Sequence, residues 1–186
     1  MLHNSSRGFT LIEMLIVMAI MAGLSTVLVY NFRVSATNRA ARHQVSSEVV
    51  GDIRRAQAMA LSGSQYQGNI VCGFGVHYLD SQTYLIYGKL PVGNSCSALT
   101  TRNYAGGDPV VETKKIANDQ FQIQSAFWDI FFAPPDPKTY INNSAVLTAP
   151  ATVTNINLIL KGSSSCASQT CTTITISTSG SIDVAN

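Results

Sequence analysis

Glu13 is the most informative ionisable residue of this chain, because it is the only charged side chain between Phe9 and Phe32. A carboxylate held at the centre of a membrane helix costs about 2.5–3.5 kcal/mol or more unless a cation pairs with it. We therefore expect Glu13 to have a cationic partner. The alternative is that Glu13 extends to the lipid headgroups, since it lies near the edge of the apolar segment.

Catalytic chemistry is not indicated elsewhere in the sequence. The patterns G-x-S-x-G and H-E-x-x-H and the P-loop pattern do not occur, and the three histidines, His3, His43 and His77, are scattered. We therefore predict no catalytic residues, no metal site and no cofactor, and we predict that the protein is not an enzyme. Three aromatic residues, Trp128, Phe131 and Phe132, are interpreted as core residues, with a binding platform as the alternative.

The apolar segment around Glu13 has the length of a membrane span. As a helix, Leu11–Tyr30 would cover about 30 Å, which matches the hydrocarbon thickness of a bilayer. A cleaved secretory signal is one alternative, with Ala22–Ser25 as its cleavage region. A plain single-span anchor is the other. Neither alternative explains a carboxylate four residues into the apolar run.

The helix is expected to continue beyond the membrane as an amphipathic helix. Apolar residues recur there at steps of three, four or seven, which traces one helix face. These residues are Val34, Ala41, Val45, Val49, Ile53, Ala56 and Ala60. Asn38, Arg39, Arg42 and Asp52 are expected largely off that face. Ser62-Gly63-Ser64 predicts the helix end.

Beyond residue 64 the composition and alternation predict β-strands. Ile70–Tyr78 and Thr83–Tyr87 flank Asp80-Ser81-Gln82 and predict a hairpin. Further strand segments are Phe121–Gln124, Phe127–Phe132, Val153–Leu160, Thr173–Ile176 and the residues around Ile182 and Val184. Leu90–Asp108 is predicted to be a long exposed loop, and Asp136-Pro137 another loop. The predicted fold class is α+β, a long N-terminal helix packed on a C-terminal antiparallel β domain.

The stretch Arg7-Gly8-Phe9-Thr10-Leu11-Ile12-Glu13 resembles the leader of type IV pilins and type II secretion pseudopilins. The resemblance implies that a membrane-embedded prepilin peptidase cuts between Gly8 and Phe9 and N-methylates Phe9. It also implies that Glu13 is the assembly residue, which pairs with the amino terminus of a neighbouring subunit. The physics agrees, because the new amine and Glu13 are each costly in hydrocarbon and a pair relieves both.

The rest of the chain is similar to the GspH/FimT-like branch of minor pilins and pseudopilins. The similarity rests on Ala56–Leu61, Gly75-Val76, Phe131–Pro134, Thr173–Ser177 and Ser179–Ile182. It implies a pilin-like fold with four parts. These are a leader at 1–8, a transmembrane and filament-core helix at 9–32, its amphipathic continuation at 33–63, and an exported β-rich domain at 64–186.

The leader resemblance also decides the expected location. Arg33, Arg39 and Arg42 follow the span, so a count of positive charges alone would place that side in the cytoplasm. The leader resemblance takes precedence over this charge count. We therefore expect a single-pass protein of the bacterial inner membrane with everything after Asn31 outside the cytoplasm. Expected partners are other pilin or pseudopilin subunits, prepilin peptidase, the inner-membrane assembly platform and, before assembly, membrane lipid.

The four cysteines, Cys72, Cys96, Cys166 and Cys171, then all lie in the exported part. An even set in an exported domain indicates disulfides. Three connectivities are possible, and we favour Cys72–Cys96 with Cys166–Cys171.

The predicted function is a structural, minor subunit of a type IV pilus or a type II secretion pseudopilus. The alternatives are a major pilin and a FimT-like pilin that binds DNA during uptake. DNA binding is not expected, because Ser177–Asp183 contains no cation where the resemblance would place a basic motif, and Lys114, Lys115, Lys138 and Lys161 are dispersed.

Overall fold

The protein combines one long helix with antiparallel β-strands, as a computed structural model describes it over residues 10–63, 65–134, 138–145, 152–166 and 171–185. The α-helix α1 spans Leu11–Leu61, and a 3-10 helix spans Cys96–Ala98. The strands are β1 (Gln65–Tyr66), β2 (Asn69–Ile70), β3 (Phe74–Asp80), β4 (Thr83–Gly88), β5 (Val110–Lys115), β6 (Phe121–Ile123), β7 (Ile130–Ala133), β8 (Lys138–Ile141), β9 (Val153–Leu160), β10 (Cys171–Ser177) and β11 (Ile182–Ala185). The chain divides into two compact units between Ala40 and Ala41. The predicted α+β class is confirmed.

The part of α1 that belongs to the second unit buries the face that the apolar spacing predicts. From Val45 onward, the apolar side chains of this face are almost completely removed from solvent, and Ala41 is half-buried. The buried apolar residues are Val45, Val49, Val50, Ile53, Ala56 and Ala60. The helix ends at Leu61, and Gly63 follows with a φ of +63°, a left-handed conformation that glycine adopts without a steric penalty. The predicted helix end is confirmed.

The strands form two larger sheets and one two-stranded ribbon. The five-stranded sheet has the order β5-β4-β3-β7-β8, and the four-stranded sheet has the order β11-β10-β9-β6. All neighbouring strands are antiparallel, and β1 pairs with β2. The predicted hairpin is confirmed, since β3 and β4 pair from Phe74 with Gly88 to Asp80 with Thr83.

The main core lies where the buried face of α1 meets side chains from both larger sheets. Phe74, Val76, Ile86, Ile130 and Phe132 come from the five-stranded sheet, and Ile156, Leu158, Ile174 and Ile176 come from the four-stranded sheet. A second cluster covers the opposite face of the five-stranded sheet with Leu85, Tyr87 and Phe131, against Tyr104 and Tyr140. The five-stranded sheet is therefore apolar on both faces.

The sequence does not predict strands β1, β5 and β8, and the predicted strand Ile70–Tyr78 is divided, with Ile70 in β2 and Phe74–Tyr78 in β3. Strands β5 and β8 are edge strands of the five-stranded sheet. An edge strand needs little apolar surface, and β5 carries Glu112, Lys114 and Lys115, so its alternation is weak. The predicted loop residues Asp136 and Pro137 lie outside the described residues.

Candidate functional site

The N-terminal part of α1 presents an apolar surface on all sides. Leu11–Tyr30 is a stretch of 20 residues with a mean hydropathy of 2.3, and none of it is buried in the described structure. By length and composition this helix is able to cross a membrane. Its large side chains, including Leu15, Ile20 and Leu28, are all exposed.

Thr10 and Glu13 form the start of this helix. The backbone N–H of Glu13 donates to Thr10 Oγ1 at 3.4 Å and to the Thr10 carbonyl at 3.1 Å. The T-x-x-E spacing is that of a capping box, in which a threonine caps the helix and a glutamate lies at its third residue. An acidic residue in the first turn is also favoured by the helix dipole. The spacing and the helix dipole thus indicate a local role of Glu13 at the helix start besides any role in assembly.

Of the three predicted processing and assembly residues, the structure describes only Glu13. Gly8 and Phe9 lie outside the described residues. Glu13 is exposed, and within the described part of the chain no basic group lies within ion-pair distance of its carboxylate.

The prediction that Arg42 and Asp52 lie off the buried helix face is wrong for both residues, because both are buried. Each has polar partners that compensate for the loss of water. Arg42 donates from a guanidinium nitrogen to the carbonyl of Cys171 at 3.2 Å. Asp52 accepts a hydrogen bond of 2.6 Å from the Tyr84 hydroxyl. Apolar spacing identifies a helix face, but it does not reveal polar residues at the margin whose partners come from distant strands.

Asp52 belongs to a charged network that joins α1 to strands β4 and β5. Lys114 Nζ lies 3.5 Å from Asp52 and 2.8 Å from Glu112, and Arg55 lies 2.6 Å from the same glutamate. The hydrogen bond from Lys114 lowers the pKa of Glu112, and the same bond raises the pKa of Lys114. Burial and the hydrogen bond to Asp52 raise the pKa of Tyr84 well above its usual range, so this hydroxyl keeps its proton.

The four cysteines lie in two pairs at disulfide distance. The Cα–Cα separations are 5.2 Å for Cys72 and Cys96 and 4.9 Å for Cys166 and Cys171. These are the two pairs favoured from the sequence. The first pair joins Cys72, two residues before β3, to the 3-10 helix, and the second closes a short connection into β10.

Polar contacts, besides the Cys72–Cys96 pair, hold the predicted loop Leu90–Asp108 against the sheet. Lys89 and Asp108 form a buried ion pair of 2.6 Å across its two ends. Asp129 contacts His77 Nδ1 at 2.6 Å through one carboxylate oxygen and accepts the Tyr104 backbone N–H with the other. His77 lies in β3, as its sequence context indicates.

The prediction that Trp128 is a core residue is wrong, whereas Phe131 and Phe132 are buried as predicted. Trp128 precedes β7, and its side chain is 53% exposed. Phe127, Ile130 and Phe132 belong to the main core and Phe131 to the second cluster, whereas Trp128 lies in neither cluster.

Comparison with known proteins identifies the N-terminal segment. Residues 3–29 match the family model of the prokaryotic N-terminal methylation motif, the leader type found in prepilins. No curated protein and no solved structure matches the chain.

The protein therefore carries a prepilin-type methylation motif at the head of an apolar helix. This combination fits the type IV pilin-like family and supports a pilin-type or pseudopilin subunit that prepilin peptidase processes. It also suggests membrane anchoring through the helix, consistent with the inner membrane.

Proposed function

We propose that this chain is a minor structural subunit of a type IV pilus or a type II secretion pseudopilus, of the GspH/FimT-like type, assembled through its N-terminal helix. One observation carries the proposal. The methylation motif at residues 3–29 heads a fully exposed apolar helix that contains a single carboxylate. A helix that is apolar on all sides needs a partner outside the chain, first lipid and then neighbouring helices.

Cleavage between Gly8 and Phe9 would create the partner that Glu13 needs. The new amino terminus is a cation four residues before Glu13, at nearly the same depth in the membrane. Each charge alone is expensive in hydrocarbon, and a pair between adjacent subunits lowers the cost of both. Removal of one member of such a buried pair costs about 3–5 kcal/mol, because the other charge stays buried without a partner.

The local capping role of Glu13 must be separated from this assembly role. Glutamine at position 13 keeps the capping geometry but removes the charge. Thr10→Ala removes the cap but keeps the charge. If Glu13 acts in assembly, Glu13→Gln should strongly reduce the amount of this subunit in sheared filaments or in a pseudopilus fraction, and Thr10→Ala should have a small effect.

The comparison is made at equal membrane levels and equal cleavage, measured by quantitative immunoblotting. Equal incorporation of wild type and Glu13→Gln would show that the carboxylate is not the assembly contact. Because glutamine keeps the cap, a loss in Glu13→Gln that Thr10→Ala does not share would assign the effect to the charge of Glu13.

Processing is tested directly by mass spectrometry of the membrane-extracted protein. We expect a mature chain that begins at an N-methylated Phe9 and contains residues 9–186. An intact Met1 would contradict processing. A new terminus near Ser25 would instead support an ordinary secretory signal.

The minor role and the outward orientation of the β domain are further parts of the proposal. The ratio of this chain to the bulk subunit in purified filaments measures the first. Protease treatment of cells with a permeabilised outer membrane measures the second. A chain that makes up the bulk of the filament would be a major pilin, and a protected β domain would reverse the orientation.

DNA binding is left out of the proposed function, because two of the lysines considered for phosphate contact already face carboxylates. Lys114 lies against Asp52 and Glu112, and Lys115 lies 3.2 Å from Asp119. A salt-dependent shift of duplex DNA by the purified protein would bring DNA uptake back as the function.

A further inference from the structure

Residues 102–104, within the long loop that follows β4, form a strap over the second core cluster. The ring of Tyr104 packs on the ring of Tyr87 with 5.4 Å between their centroids, and the Tyr87 hydroxyl donates to the Arg102 carbonyl at 2.6 Å. The Arg102 guanidinium lies 4.1 Å from the centre of the Tyr140 ring. The strap therefore covers aromatic side chains that belong to the five-stranded sheet.

A single carboxylate connects this strap to a histidine of β3. Asp129 Oδ2 accepts the backbone N–H of Tyr104 at 2.5 Å, and Asp129 Oδ1 lies 2.6 Å from His77 Nδ1. The side chain of Asp129 is only 10% exposed. Among the described residues, His77 is the only basic group within ion-pair distance of Asp129. This nearly buried carboxylate therefore faces a positive charge only while His77 is protonated.

The geometry identifies the nitrogen of His77 that gains or loses the proton. An ionised carboxylate only accepts hydrogen bonds, so Nδ1 donates to Asp129 and keeps its hydrogen. The proton that comes and goes is then the one on Nε2. Because the side chain is 28% exposed, this exchange with water does not require the domain to unfold.

The strap and the charge of His77 favour each other through two contacts. The ring of Tyr104 lies 4.7 Å from the imidazole, and the face of a tyrosine ring attracts a cation within about 6 Å. The Tyr104 N–H also occupies one oxygen of Asp129 in place of water. Closure of the strap over an unpaired carboxylate is costly, whereas closure over an ion pair costs less. Protonation of His77 therefore stabilises the closed strap.

The other ionisable groups around His77 are of types that do not ordinarily change charge between pH 5 and 8, whereas histidine does. They are Asp129 before β7, Tyr87 of β4, Arg102 and Tyr104 of the strap, the Lys89–Asp108 ion pair and, on β3 itself, Tyr78 and Asp80. Burial, followed by the charge of Asp129, raises the pKa of Tyr87 well above its usual range. The hydroxyl that donates to the Arg102 carbonyl therefore keeps its proton.

We propose that His77 is a pH sensor that holds the strap on the sheet when it is protonated and loosens the strap when it is neutral. By linkage, protonation favours the closed strap by the same factor by which closure favours protonation. Couplings of this kind are typically 5–150-fold, and we expect a factor of roughly ten. As the pH rises from about 5 to about 8, the strap opens more often and the ring of Tyr87 becomes accessible.

The backbone N–H of Tyr104 reports on the strap directly, because Asp129 is its acceptor. Hydrogen–deuterium exchange of the peptide that contains this residue is measured by mass spectrometry on the full-length chain in detergent. Labelling is carried out at about pH 5.5 and about pH 8, within the range in which histidine titrates, for times scaled to the intrinsic exchange rate at each pH. We expect the protection of the strap to be roughly tenfold lower at the higher pH. A peptide from β9 and β10, in the other sheet, is the internal reference and should keep its protection.

Matched histidine variants assign the response to one side chain. His77→Gln keeps an N–H that is able to donate to Asp129, but a glutamine does not take up a proton. This variant should give the same strap protection at both pH values. His43→Gln is the control, since His43 is exposed on α1 and should leave the tenfold difference unchanged.

Equal strap protection at the two pH values in the wild type would overturn the proposed sensor. A pH difference that survives in His77→Gln would assign the response to another group and would overturn it as well. If His77→Gln also lowers the protection of the reference peptide, Tyr104→Ala decides, since it removes the ring contact and leaves both the imidazole and the carboxylate. It should reduce the pH difference to about half or less, and an unchanged difference would overturn the sensor. Processing and assembly do not enter these measurements, so a negative result leaves the proposed function intact.

Discussion

Two stretches of the same helix, Leu11–Tyr30 and Val45–Ala60, use apolar residues in opposite ways. The first is apolar on all sides, and all of it is exposed in the described structure. The second carries one apolar face, and that face is buried against the two β-sheets. A continuous apolar surface requires lipid or neighbouring helices around it, whereas a single apolar face is satisfied within the β domain. The comparison separates residues that serve assembly from residues that serve folding.

The strongest test of this difference between the two stretches is to truncate one isoleucine in each of them. Ile53→Ala should lower the free energy of unfolding by about 4 kcal/mol, because Ile53 is fully buried and its truncation leaves a cavity. Ile20→Ala should leave the unfolding of the β domain unchanged, because Ile20 is exposed. Chemical unfolding of the full chain in detergent, followed through the single tryptophan, measures both. Equal losses would show that the two stretches are not distinct.

The cysteine pairs give the next largest effect, and it is confined to the β domain. A thiol count on the denatured, unreduced protein should find no free cysteine. The chain-entropy relation assigns about 3.5 kcal/mol to a Cys72–Cys96 bond and about 2.2 kcal/mol to Cys166–Cys171, since they are 24 and 5 residues apart. Replacement of both cysteines of a pair with serine should lower the free energy of unfolding more for Cys72 and Cys96 than for Cys166 and Cys171. Four free thiols would contradict the bonds and the exported location.

A smaller effect on stability is expected from the polar residues at the edge of the buried helix face in the second stretch. Asp52→Ala removes the acceptor of the Tyr84 hydroxyl and leaves Lys114 without one of its carboxylates, so it should cost about 1–3 kcal/mol. Arg54→Ala, at an exposed position of the same helix, is the matched control and should change stability by less than about 0.5 kcal/mol. An Asp52→Ala variant that is as stable as the wild type would mean that the network does not hold the helix on the sheet.

The smallest effect concerns pH. The pKa of Glu112 is lowered in the fold by Lys114, so its contribution is present above the ordinary value of 4.5 and is lost as the pH falls below it. The pKa of Lys114 is raised, so its contribution is present below 10.5 and is lost at higher pH. Glu112→Gln should flatten the acid side of the stability profile and cost about 0.2–1 kcal/mol near neutral pH. An unchanged acid slope would contradict this assignment.

The sequence predicts most of the fold because its strongest signals are periodic. The helix face from Val45 to Ala60 and the β3–β4 hairpin follow from apolar spacing and turn residues alone. The edge strands β5 and β8 were missed because one-sided strands with charged residues carry little alternation. Their pairing depends on neighbours that are distant in the sequence.

The sequence likewise predicts only some residues of the candidate site correctly. Glu13 stands out from the sequence because its charge conflicts with its surroundings. Trp128 was misassigned because apolar character does not tell which side chains a sheet has room to bury. Asp52 and Arg42 were misassigned because their compensating partners, Tyr84 and the Cys171 carbonyl, come from strands far along the chain. Local sequence does not contain that information.

The polar contacts of the helix also have a mechanical consequence. Within the second unit, Arg42 reaches the first residue of β10, Asp52 reaches Tyr84 of β4, and Arg55 reaches Glu112 of β5. In the proposed filament, tension would reach this unit through its helix. That pull would load contacts to both larger sheets at once, in shear along the helix axis, so several bonds would have to fail together before the helix could be drawn out of its domain.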